Sequence, residues 1–387
     1  MTDATEQRAY FDYAATAPFD VRLADVIASA SWANANSLYA EGREARRQLD
    51  DARRRIARAL RARQPAEILF TSGGTEGDNM AVKGLIEPNA KPTDTHVIVS
   101  NIEHHAVLDS AMSLKRYGYH VHTVACDKNG IVTAQALSDA IDKALAGGGK
   151  LAVVSVMVNN ELGTIQPVRE LARVAHDAGA KFMTDCVQAL GKIEIDLEKS
   201  GVDAAVFSGH KVGALKGVGV VYVRRSAKIQ PLLFGGGQEM GLRSGTSNVM
   251  GAVCMARAIE FAVAEREENW EHAAALRERI LAGIDGLDAE HALVRTLADD
   301  SRCIPHTLSL VANGLEGETV VQRLDAAGIA ASSGSACATG SLDPSYVLMA
   351  LGMSKQQAYG SLRLSFGAGT TDADVDQLLA ALPGALR

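Results

Sequence analysis

The chain contains few cysteines and few aromatic residues for its length. Among 387 residues there are five cysteines, and aromatic side chains occupy only 5% of positions. The cysteines are widely spaced, and no two of them have CxxC spacing. We therefore predict free thiols rather than a disulfide framework. The five are Cys126, Cys186, Cys254, Cys303 and Cys337.

Several familiar signatures are also missing. There is no HExxH, no Walker sequence and no GxGxxG, which argues against a zinc protease, a nucleotide-phosphate site and a dinucleotide site. No metal site is predicted. Residues 1–7 contain neither the basic nor the apolar stretch of a signal peptide, and the apolar run at 151–158 is too short to span a bilayer. We expect a cytoplasmic protein without membrane association.

Charge and composition set further limits. A formal net charge of −7 argues against a surface that neutralises a phosphate backbone, so no direct nucleic-acid binding is expected. With 47% hydrophobic residues the chain can bury a large core, and its length favours two domains or more. We expect a large domain at 15–258, and a small domain formed by 1–14 and 259–387.

Short apolar runs rich in β-branched residues alternate with helical patterns between residues 67 and 225. This alternation predicts βα units around a mostly parallel, seven-stranded sheet, and therefore an α/β fold. Several runs are apolar almost throughout, as strands covered on both faces should be. The last run follows a glycine-rich turn and could be antiparallel. The predicted strands are 67–71, 96–100, 120–124, 151–158, 181–185, 203–208 and 218–223.

Residues 42–63 have apolar side chains at helical spacing and are predicted to form one long helix. Its other face carries nine arginines. A solvated face with acidic neighbours is the favoured interpretation, and a docking surface is the alternative. A second helical region, at 251–286, leads into a mixed C-terminal segment that we expect to form a smaller α+β domain.

Lys211, Asp185 and Gln188 form the most informative group of residues. Lys211 follows a predicted strand within Ser208-Gly209-His210-Lys211, and in open α/β sheets ligands bind beyond the carboxyl ends of strands. A lysine there can form a Schiff base with an aldehyde cofactor, and a carboxylate such as Asp185 can hold a pyridinium nitrogen protonated. Together with Gln188, which can reach a phenolic oxygen of the ring, these residues suggest pyridoxal 5′-phosphate.

Two further stretches fit the same cofactor. Gly74 and Thr75 lie between a predicted strand and a helix, where exposed backbone N–H groups and the helix N-terminus favour a phosphate. An ordinary helix cap is the alternative there. One of the adjacent histidines, His104 and His105, could stack on a pyridine ring. The residues alone do not decide which one.

Cys337 lies among serine, glycine and alanine residues, a composition with little to pack and much backbone freedom. A mobile loop of this kind can carry a thiolate to its target. Because attack requires thiolate, the usual cysteine pKa of about 8.5 must be lowered, or the proton must pass to a neighbouring side chain. The sequence leaves both routes open.

In these motifs the chain resembles the cysteine desulfurases, pyridoxal-phosphate enzymes of the class V aminotransferase family. The similarity is closest to the nitrogen-fixation and iron–sulfur-assembly group with an extended catalytic loop. It runs from Tyr10-Phe11-Asp12-Tyr13 to Ser361-Leu362-Arg363. It implies fold type I of the pyridoxal-phosphate transferases and a homodimer with shared sites.

The resemblance also implies roles for individual residues. Lys211 would carry the cofactor and, with His104 and Cys337, would be catalytic. Cys337 would form the persulfide, and His104 would stack on the ring held by Asp185 and Gln188. The phosphate would be bound by Gly74, Thr75, Ser208 and His210, and by Thr246 of the other subunit. Asn159 and Arg363 would hold the carboxylate of the substrate, L-cysteine.

The implied activity converts L-cysteine to L-alanine and passes sulfur to an iron–sulfur scaffold or a sulfur-carrier protein. A selenocysteine lyase and a class V aminotransferase are the alternative enzymes, and a non-catalytic assembly module is the alternative outside enzymes. The chain departs from the family pattern at Asn34-Ala35-Asn36-Ser37-Leu38-Tyr39, after Lys211, and at Cys186. Strand alternation points Cys186 away from the ring, so a packed thiol is expected there.

Overall fold

The structure, a computed structural model, describes residues 8–86, 89–287, 293–334 and 343–387. The predicted apolar runs correspond to strands in this structure, which also contains further strands near both ends of the chain. Within the described ranges the strands are β1 (Ala9–Tyr10), β2 (Ile68–Thr71), β3 (Thr95–Ser100), β4 (His120–Val124), β5 (Lys150–Val156), β6 (Lys181–Asp185), β7 (Ala204–Ser208), β8 (Gly219–Val223), β9 (Leu293–Arg295), β10 (Thr307–Ala312), β11 (Ile329–Ala330) and β12 (Ser361–Ser365).

The α-helices separate these strands along the chain. In the same ranges they are α1 (Ala24–Ala28), α2 (Ala40–Ala59), α3 (Gly74–Gly84), α4 (His105–Ser113), α5 (Ala134–Leu145), α6 (Val168–Asp177), α7 (Leu197–Ser200), α8 (Val249–Ala264), α9 (Arg266–Asp285), α10 (Gly317–Ala326), α11 (Tyr346–Ala350), α12 (Lys355–Tyr359) and α13 (Asp372–Ala385).

The seven predicted strands form one sheet in the order β2-β8-β7-β6-β5-β3-β4. The pairs from β7 through β4 are parallel, whereas β8 runs antiparallel to both β7 and β2. The prediction of a mostly parallel α/β sheet is confirmed, and the last run is the antiparallel strand. Every residue of β7 and β8 is buried, as expected for strands covered by helices on both faces.

Two further sheets lie outside the large one. Strands β9, β10 and β12 form an antiparallel sheet, and β1 pairs in parallel with β11. Helices α9, α10 and α13 contribute buried side chains to the same apolar core as β10 and β12. This mixed arrangement is the smaller α+β unit that the C-terminal sequence predicts, and it recruits residues close to the N-terminus through β1.

The apolar cores show where packing changes along the chain. Helix α8 contributes Met255 and Ile259 to the core of the large sheet, whereas α9 contributes Ala273 and Leu276 to the core of the smaller sheets. Between them the helix is interrupted at Glu265, so the predicted helical region 251–286 is two helices. The division into 15–258, and 1–14 with 259–387, stays a prediction.

Helix α2 buries the apolar stripe that its sequence predicts, including Ala45, Leu49 and Ile56. It ends four residues earlier than predicted, at Ala59. Many of the arginines in and after it pair with acids, which fits the solvated-face interpretation. Arg47–Glu44, Arg54–Asp51 and Arg61–Glu194 are exposed pairs, Arg55–Glu260 is partly buried, and Arg53–Glu239 is a buried exception. Within the described ranges, no helix combines the length and the apolarity that crossing a membrane requires.

Candidate active site

A cavity of about 220 Å³ lies at the carboxyl ends of β6 and β7, against the N-terminus of α3. Eight residues singled out from the sequence line it together: Gly74, Thr75, His104, Asp185, Gln188, Ser208, His210 and Lys211. They come from four separate stretches of chain, which parallel strands bring to one edge of the sheet. Sequence reasoning missed five other lining residues: Ala14, Asp78, Val158, Asn160 and Val187.

Lys211 sits in a short 3-10 turn directly after β7. Its Nζ donates hydrogen bonds to the carbonyl oxygens of Ala14 at 2.6 Å and Ala15 at 2.7 Å. These carbonyls belong to the segment that follows β1. This N-terminal segment therefore holds the ammonium group near the carboxyl end of β7. Lys216, the nearby lysine, is exposed and does not line this cavity.

Asp185 is the last residue of β6 and faces the same cavity. Its Oδ1 accepts a hydrogen bond from the Val187 backbone N–H at 2.8 Å. Burial raises the pKa of Asp185 to about 6, against the opposing effects of that N–H and of the Lys211 ammonium. Such a carboxylate gains from a cationic partner, because a nearby positive charge would favour its ionised form.

Asp78 is a second buried acid on the cavity wall, one turn along α3 from Thr75. Its Oδ1 finds no hydrogen-bond partner among the described residues. Burial, reinforced by the charges of Asp185 and Glu103, raises the pKa of Asp78 well above its usual range. The spacing from Thr75 puts Asp78 on the same helix face, and this signal could have identified it from sequence.

Gln188 is held from both sides. Its Nε2 donates to the Ala14 carbonyl at 2.9 Å, and its Oε1 accepts from Lys192 Nζ at 2.7 Å. Gln188 and Lys211 therefore share one carbonyl oxygen. Lys192 was not singled out from the sequence, since a lysine in a helical turn gives no signal of its direction.

Glycine and small polar residues form the region where a phosphate would fit. A second cavity of about 470 Å³ shares Gly74, Thr75, Ser208 and His210 with the first. A side chain at Gly74 would bring its Cβ to 3.1 Å from a Val187 methyl, so the wall tolerates little more than glycine there. Exposed N–H groups at the start of α3 suit an anion in this space.

The two adjacent histidines take different directions. His104 lines the cavity and caps α4, its Nδ1 accepting from the Ala106 N–H at 3.1 Å. Burial, helped by the Lys211 charge, lowers the pKa of His104 to about 4, so the ring is neutral near pH 7. His105 instead lies 3.4 Å from Asp109 and stacks edge-on against Tyr346.

His210 also faces the cavity in its neutral form. Its Nδ1 lies 3.1 Å from Thr16 Oγ1, and burial lowers its pKa to about 4. The adjacent charges of Lys211 and Lys216 act in the same direction. A neutral imidazole can donate one hydrogen bond to a bound anion without requiring a proton from solution.

Asn159 and Arg363 lie behind the cavity wall rather than on it. The Asn159 amide is 1% exposed, donates to the Ile102 carbonyl at 2.8 Å and accepts from the N–H groups of Glu161 and Leu162. It therefore shapes the turn that presents Asn160 to the cavity. The Arg363 guanidinium donates to the Asn160 carbonyl at 3.0 Å and to Asp12 Oδ1 at 2.8 Å. Its Nε has no partner among the described groups.

Cys337 lies outside the described residues, but the chain on both sides of it is anchored. Gly334 donates its N–H to Ser361 Oγ at 3.2 Å, and Ser345 Oγ donates to Glu161 Oε2 at 2.6 Å. A Cβ at Gly334 would lie 2.6 Å from that same carboxylate oxygen. Burial raises the pKa of Glu161 to about 7. One buried acid thus contacts both flanks of the segment.

The four described cysteines have environments that suppress reactivity. Burial raises the pKa of Cys126 and of Cys303 to about 11. It also raises the pKa of Cys254, and that of Cys186 well above its usual range. Cys186 is fully buried with its Sγ 3.8 Å from Met157 Sδ, which confirms the predicted packed thiol. Thiolate chemistry is disfavoured at all four.

Thr246 is exposed and lines neither cavity. The segment that carries it is tied to α3 by Arg243, whose Nε and Nη2 donate to the two carboxylate oxygens of Glu76 at 2.7 and 3.1 Å. This contact places Arg243, three residues before Thr246, beside the start of α3. No cluster of three or more His, Cys, Asp or Glu side chains in the described part of the chain could hold a metal ion.

Comparisons with known proteins agree with this geometry. The model of the Aminotransferase class-V family matches residues 9–378. An IscS-like cysteine desulfurase of Mycobacterium tuberculosis is 41% identical over 384 residues, which cover 98% of this chain and 96% of that protein. A solved NifS-like protein has a TM-score of 0.88 and 34% identity, and the match covers 98% of this chain and 99% of its own. A structure described as SspA in complex with cysteine has a TM-score of 0.77 and 32% identity over 92% of this chain and 98% of its own.

These likenesses extend over nearly the whole chain. They account for the mostly parallel seven-stranded sheet, which is the large sheet expected of fold type I, and for the smaller sheets beside it. From the family match across residues 9–378 and the near full-length relatives, we conclude that the chain belongs to the class V aminotransferase family.

Proposed function

We propose that this protein is a pyridoxal-phosphate-dependent cysteine desulfurase. It would convert L-cysteine to L-alanine and leave the sulfur on Cys337 as a persulfide. The observation that carries the proposal is the convergence of Lys211, Asp185 and Gln188 on one cavity at the ends of β6 and β7. The M. tuberculosis relative bears the name of this activity.

The residues around the cavity fit pyridoxal 5′-phosphate. Lys211 offers an amine, Asp185 a carboxylate for the ring nitrogen, and Gln188 an amide for the phenolic oxygen. Thr75, Ser208 and His210 border the adjoining space that suits the phosphate. When bound, the cofactor would supply an aldehyde for a Schiff base and a ring that accepts electrons from the substrate.

The chain's own groups then have separable tasks. With the substrate bound, Lys211 Nζ would take the proton from the substrate Cα. Neutral His104 lines the same wall, and because its Nδ1 accepts from the Ala106 N–H, its Nε2 would carry the ring proton and could donate a hydrogen bond to the substrate. Arg363 is the cation nearest Asn160, and holding a substrate carboxylate would require its guanidinium to share or release Asp12.

Cys337 would receive the sulfur. In the balanced reaction, L-cysteine and the Cys337 thiol give L-alanine and a Cys337 persulfide. A sulfur–sulfur bond forms as the carbon–sulfur bond of the substrate breaks. The raised pKa values of the other four cysteines support this choice. The described flank at Ser345 lies near the cavity, because Ser345 donates to Glu161, the neighbour of the cavity-lining Asn160.

A homodimer would complete the phosphate site through Thr246. Large apolar side chains are exposed around this part of the surface, including Phe234 at 84% and Met240 at 53%. Burying such side chains against a second copy is a common reason for their exposure. We therefore include in the proposal a homodimer in which Thr246 of each subunit binds the phosphate in the other subunit.

The physiological acceptor would be an iron–sulfur scaffold or a sulfur-carrier protein. To test delivery, persulfide formed with ³⁵S-cysteine would be mixed with a purified candidate acceptor and the label followed. Transfer of label to the acceptor would support the proposal. Label that stays on the enzyme with scaffold and carrier alike would contradict this part of it.

The activity is tested by mixing the purified enzyme with L-cysteine and a reductant, then measuring alanine and sulfide. Equal yields are expected, and Cys337→Ala should abolish both, whereas the control Cys303→Ala should retain them. Alanine and selenide made from selenocysteine without Cys337 would indicate a selenocysteine lyase. Amino transfer to a keto acid without Cys337 would indicate an aminotransferase, and no cofactor absorbance in the parent would indicate a non-catalytic module.

A further inference from the structure

Lys192 lies outside the cavity lining but contacts a residue that belongs to it. Its Nζ donates to Gln188 Oε1 at 2.7 Å, and Gln188 Nε2 donates onward to the Ala14 carbonyl at 2.9 Å. That carbonyl also accepts from Lys211 Nζ at 2.6 Å. The three contacts form one continuous hydrogen-bonded chain from Lys192 to Lys211.

The chemistry of an amide makes this chain directional. A lysine ammonium has only donors, so it must meet the oxygen of Gln188 and not its NH₂ group. A carbonyl such as that of Ala14 has only acceptors, so it must meet the NH₂ group. Rotating the amide by half a turn would break both hydrogen bonds and set Nε2 against the cation. Lys192 and Ala14 together therefore allow one orientation of Gln188.

The surroundings of Lys192 give its charge no acidic partner. Among the described residues, no carboxylate forms an ion pair with it. The charged and titratable groups that face it are Lys211, Arg363 and His306. Lys192 also lines an adjoining cavity of about 420 Å³, together with Tyr13, Asp20, Arg22 and Glu265. Burial, with the charges of Lys211 and Arg363, lowers the pKa of Lys192 to about 7. Below that pH Lys192 is protonated, and it can then only donate to Gln188 Oε1.

We propose that Lys192 is a positioning residue: it fixes the amide of Gln188 with its NH₂ group toward the cavity and adds positive charge behind it. The inference rests on the proposed function, because Gln188 is the group expected to contact the phenolic oxygen of the cofactor. A cation behind that amide would favour the anionic form of the oxygen. Lys192 would thereby influence the midpoint pH of the colour change, which is the change in absorbance of the bound cofactor with pH.

The test compares Lys192→Met with a matched control, Lys83→Met. Lys83 makes the same kind of contact, donating to the amide oxygen of Asn79 four residues earlier at 2.8 Å, but neither residue lines a cavity at the site. Apoenzyme would be titrated with pyridoxal phosphate, and the absorbance of the bound form followed against pH. We expect Lys192→Met to weaken binding about ten-fold, as for loss of one hydrogen bond to a charged group. Its colour change should move to higher pH, whereas Lys83→Met should match the parent.

Three further variants separate positioning from a general structural effect. Lys192→Arg retains the charge and should restore the parental midpoint of the colour change. In the double variant Lys192→Met/Gln188→Leu, the effects on affinity should be far from additive, since Lys192 acts through Gln188. If Lys192→Met does not fold, Lys192→Gln replaces it with the same expectations.

Parental affinity and an unchanged colour midpoint in Lys192→Met would overturn the inference. So would additive losses in the double variant, because Lys192 would then act independently of Gln188. A parent enzyme that binds no pyridoxal phosphate would instead refute the proposed function. The two failures are therefore distinguishable in the same experiment.

Discussion

Arg53 and Glu239 form a buried ion pair that links α2 to the segment carrying Thr246. Arg53 donates through both Nη atoms to the two carboxylate oxygens of Glu239, at 2.8 and 3.0 Å. The side chains are only 10% and 4% exposed. Glu239 also accepts from the Phe70 backbone N–H at 2.9 Å. The same carboxylate therefore pairs with the Arg53 guanidinium and accepts a hydrogen bond from the backbone of β2.

We expect Glu239→Ala to lower the free energy of unfolding by about 3–5 kcal/mol. The substitution leaves the Arg53 guanidinium buried without its counter-charge, and losses of this size follow when one partner of a buried pair is removed. Replacing both side chains with methionine removes the stranded charge but still leaves the Phe70 N–H without an acceptor. The double variant should therefore lose only about 1–3 kcal/mol.

The measurement is urea unfolding of the apoenzyme, followed by circular dichroism, with midpoint and slope recorded for each variant. Glu44→Ala is the control, because it breaks the Arg47–Glu44 pair, whose side chains are 69% and 40% exposed. That exposed pair should be worth about 0–1 kcal/mol. A Glu239→Ala protein as stable as the Glu44→Ala protein would refute the reasoning, as would a double variant less stable than Glu239→Ala.

Other predictions concern the phosphate site, pH dependence and helix packing. Thr246→Val should weaken pyridoxal-phosphate binding about ten-fold in a fluorescence titration, for loss of one hydrogen bond to a charged group. An unchanged affinity would show that the Thr246 hydroxyl does not bind the phosphate of the other subunit. Burial lowers the pKa of His306 to about 3, so the folded state resists protonation and stability should fall as pH decreases from about 6.5. His306→Gln should reduce the drop in urea midpoint between pH 7 and pH 5, and an equal drop would contradict this. A Cβ at Gly77 would lie 2.7 Å from Val206 Cγ1, so Gly77→Ala should cost about 1–3 kcal/mol. Gly384→Ala, where no atom lies within 4 Å, should instead stabilise by about 0.5–1 kcal/mol.

The strands of the large sheet were predictable because they are buried on both faces. Apolar runs bounded by glycine and polar residues predicted all seven, including the antiparallel β8. The break between α8 and α9 at Glu265 was not predictable in this way. No glycine or proline marks it, and it lies where the buried side chains change from one core to the other.

Some residues of the candidate site could likewise be predicted from the strands, and others could not. Strand topology predicts that Asp185 and Lys211 meet, since Asp185 ends β6 and Lys211 follows the neighbouring parallel strand β7. Lys192 and Asn160 depend on the direction of a side chain in a turn, which spacing does not determine. The resemblance implied Asn159 and Arg363 as groups that hold the substrate carboxylate, and no contact seen here tests those roles. In this structure both side chains are engaged with protein groups.

The stretch from Ala9 to Ala15 crosses from one sheet system to the other. It pairs with β11 through Ala9, ties to Arg363 through Asp12, and ends in the carbonyls that hold Lys211. This stretch therefore links the smaller sheets directly to the carbonyl acceptors of the lysine ammonium. A single proteolytic cut between residues 11 and 14 would separate β1 from the carbonyls that accept from Lys211, while leaving every strand of the large sheet intact.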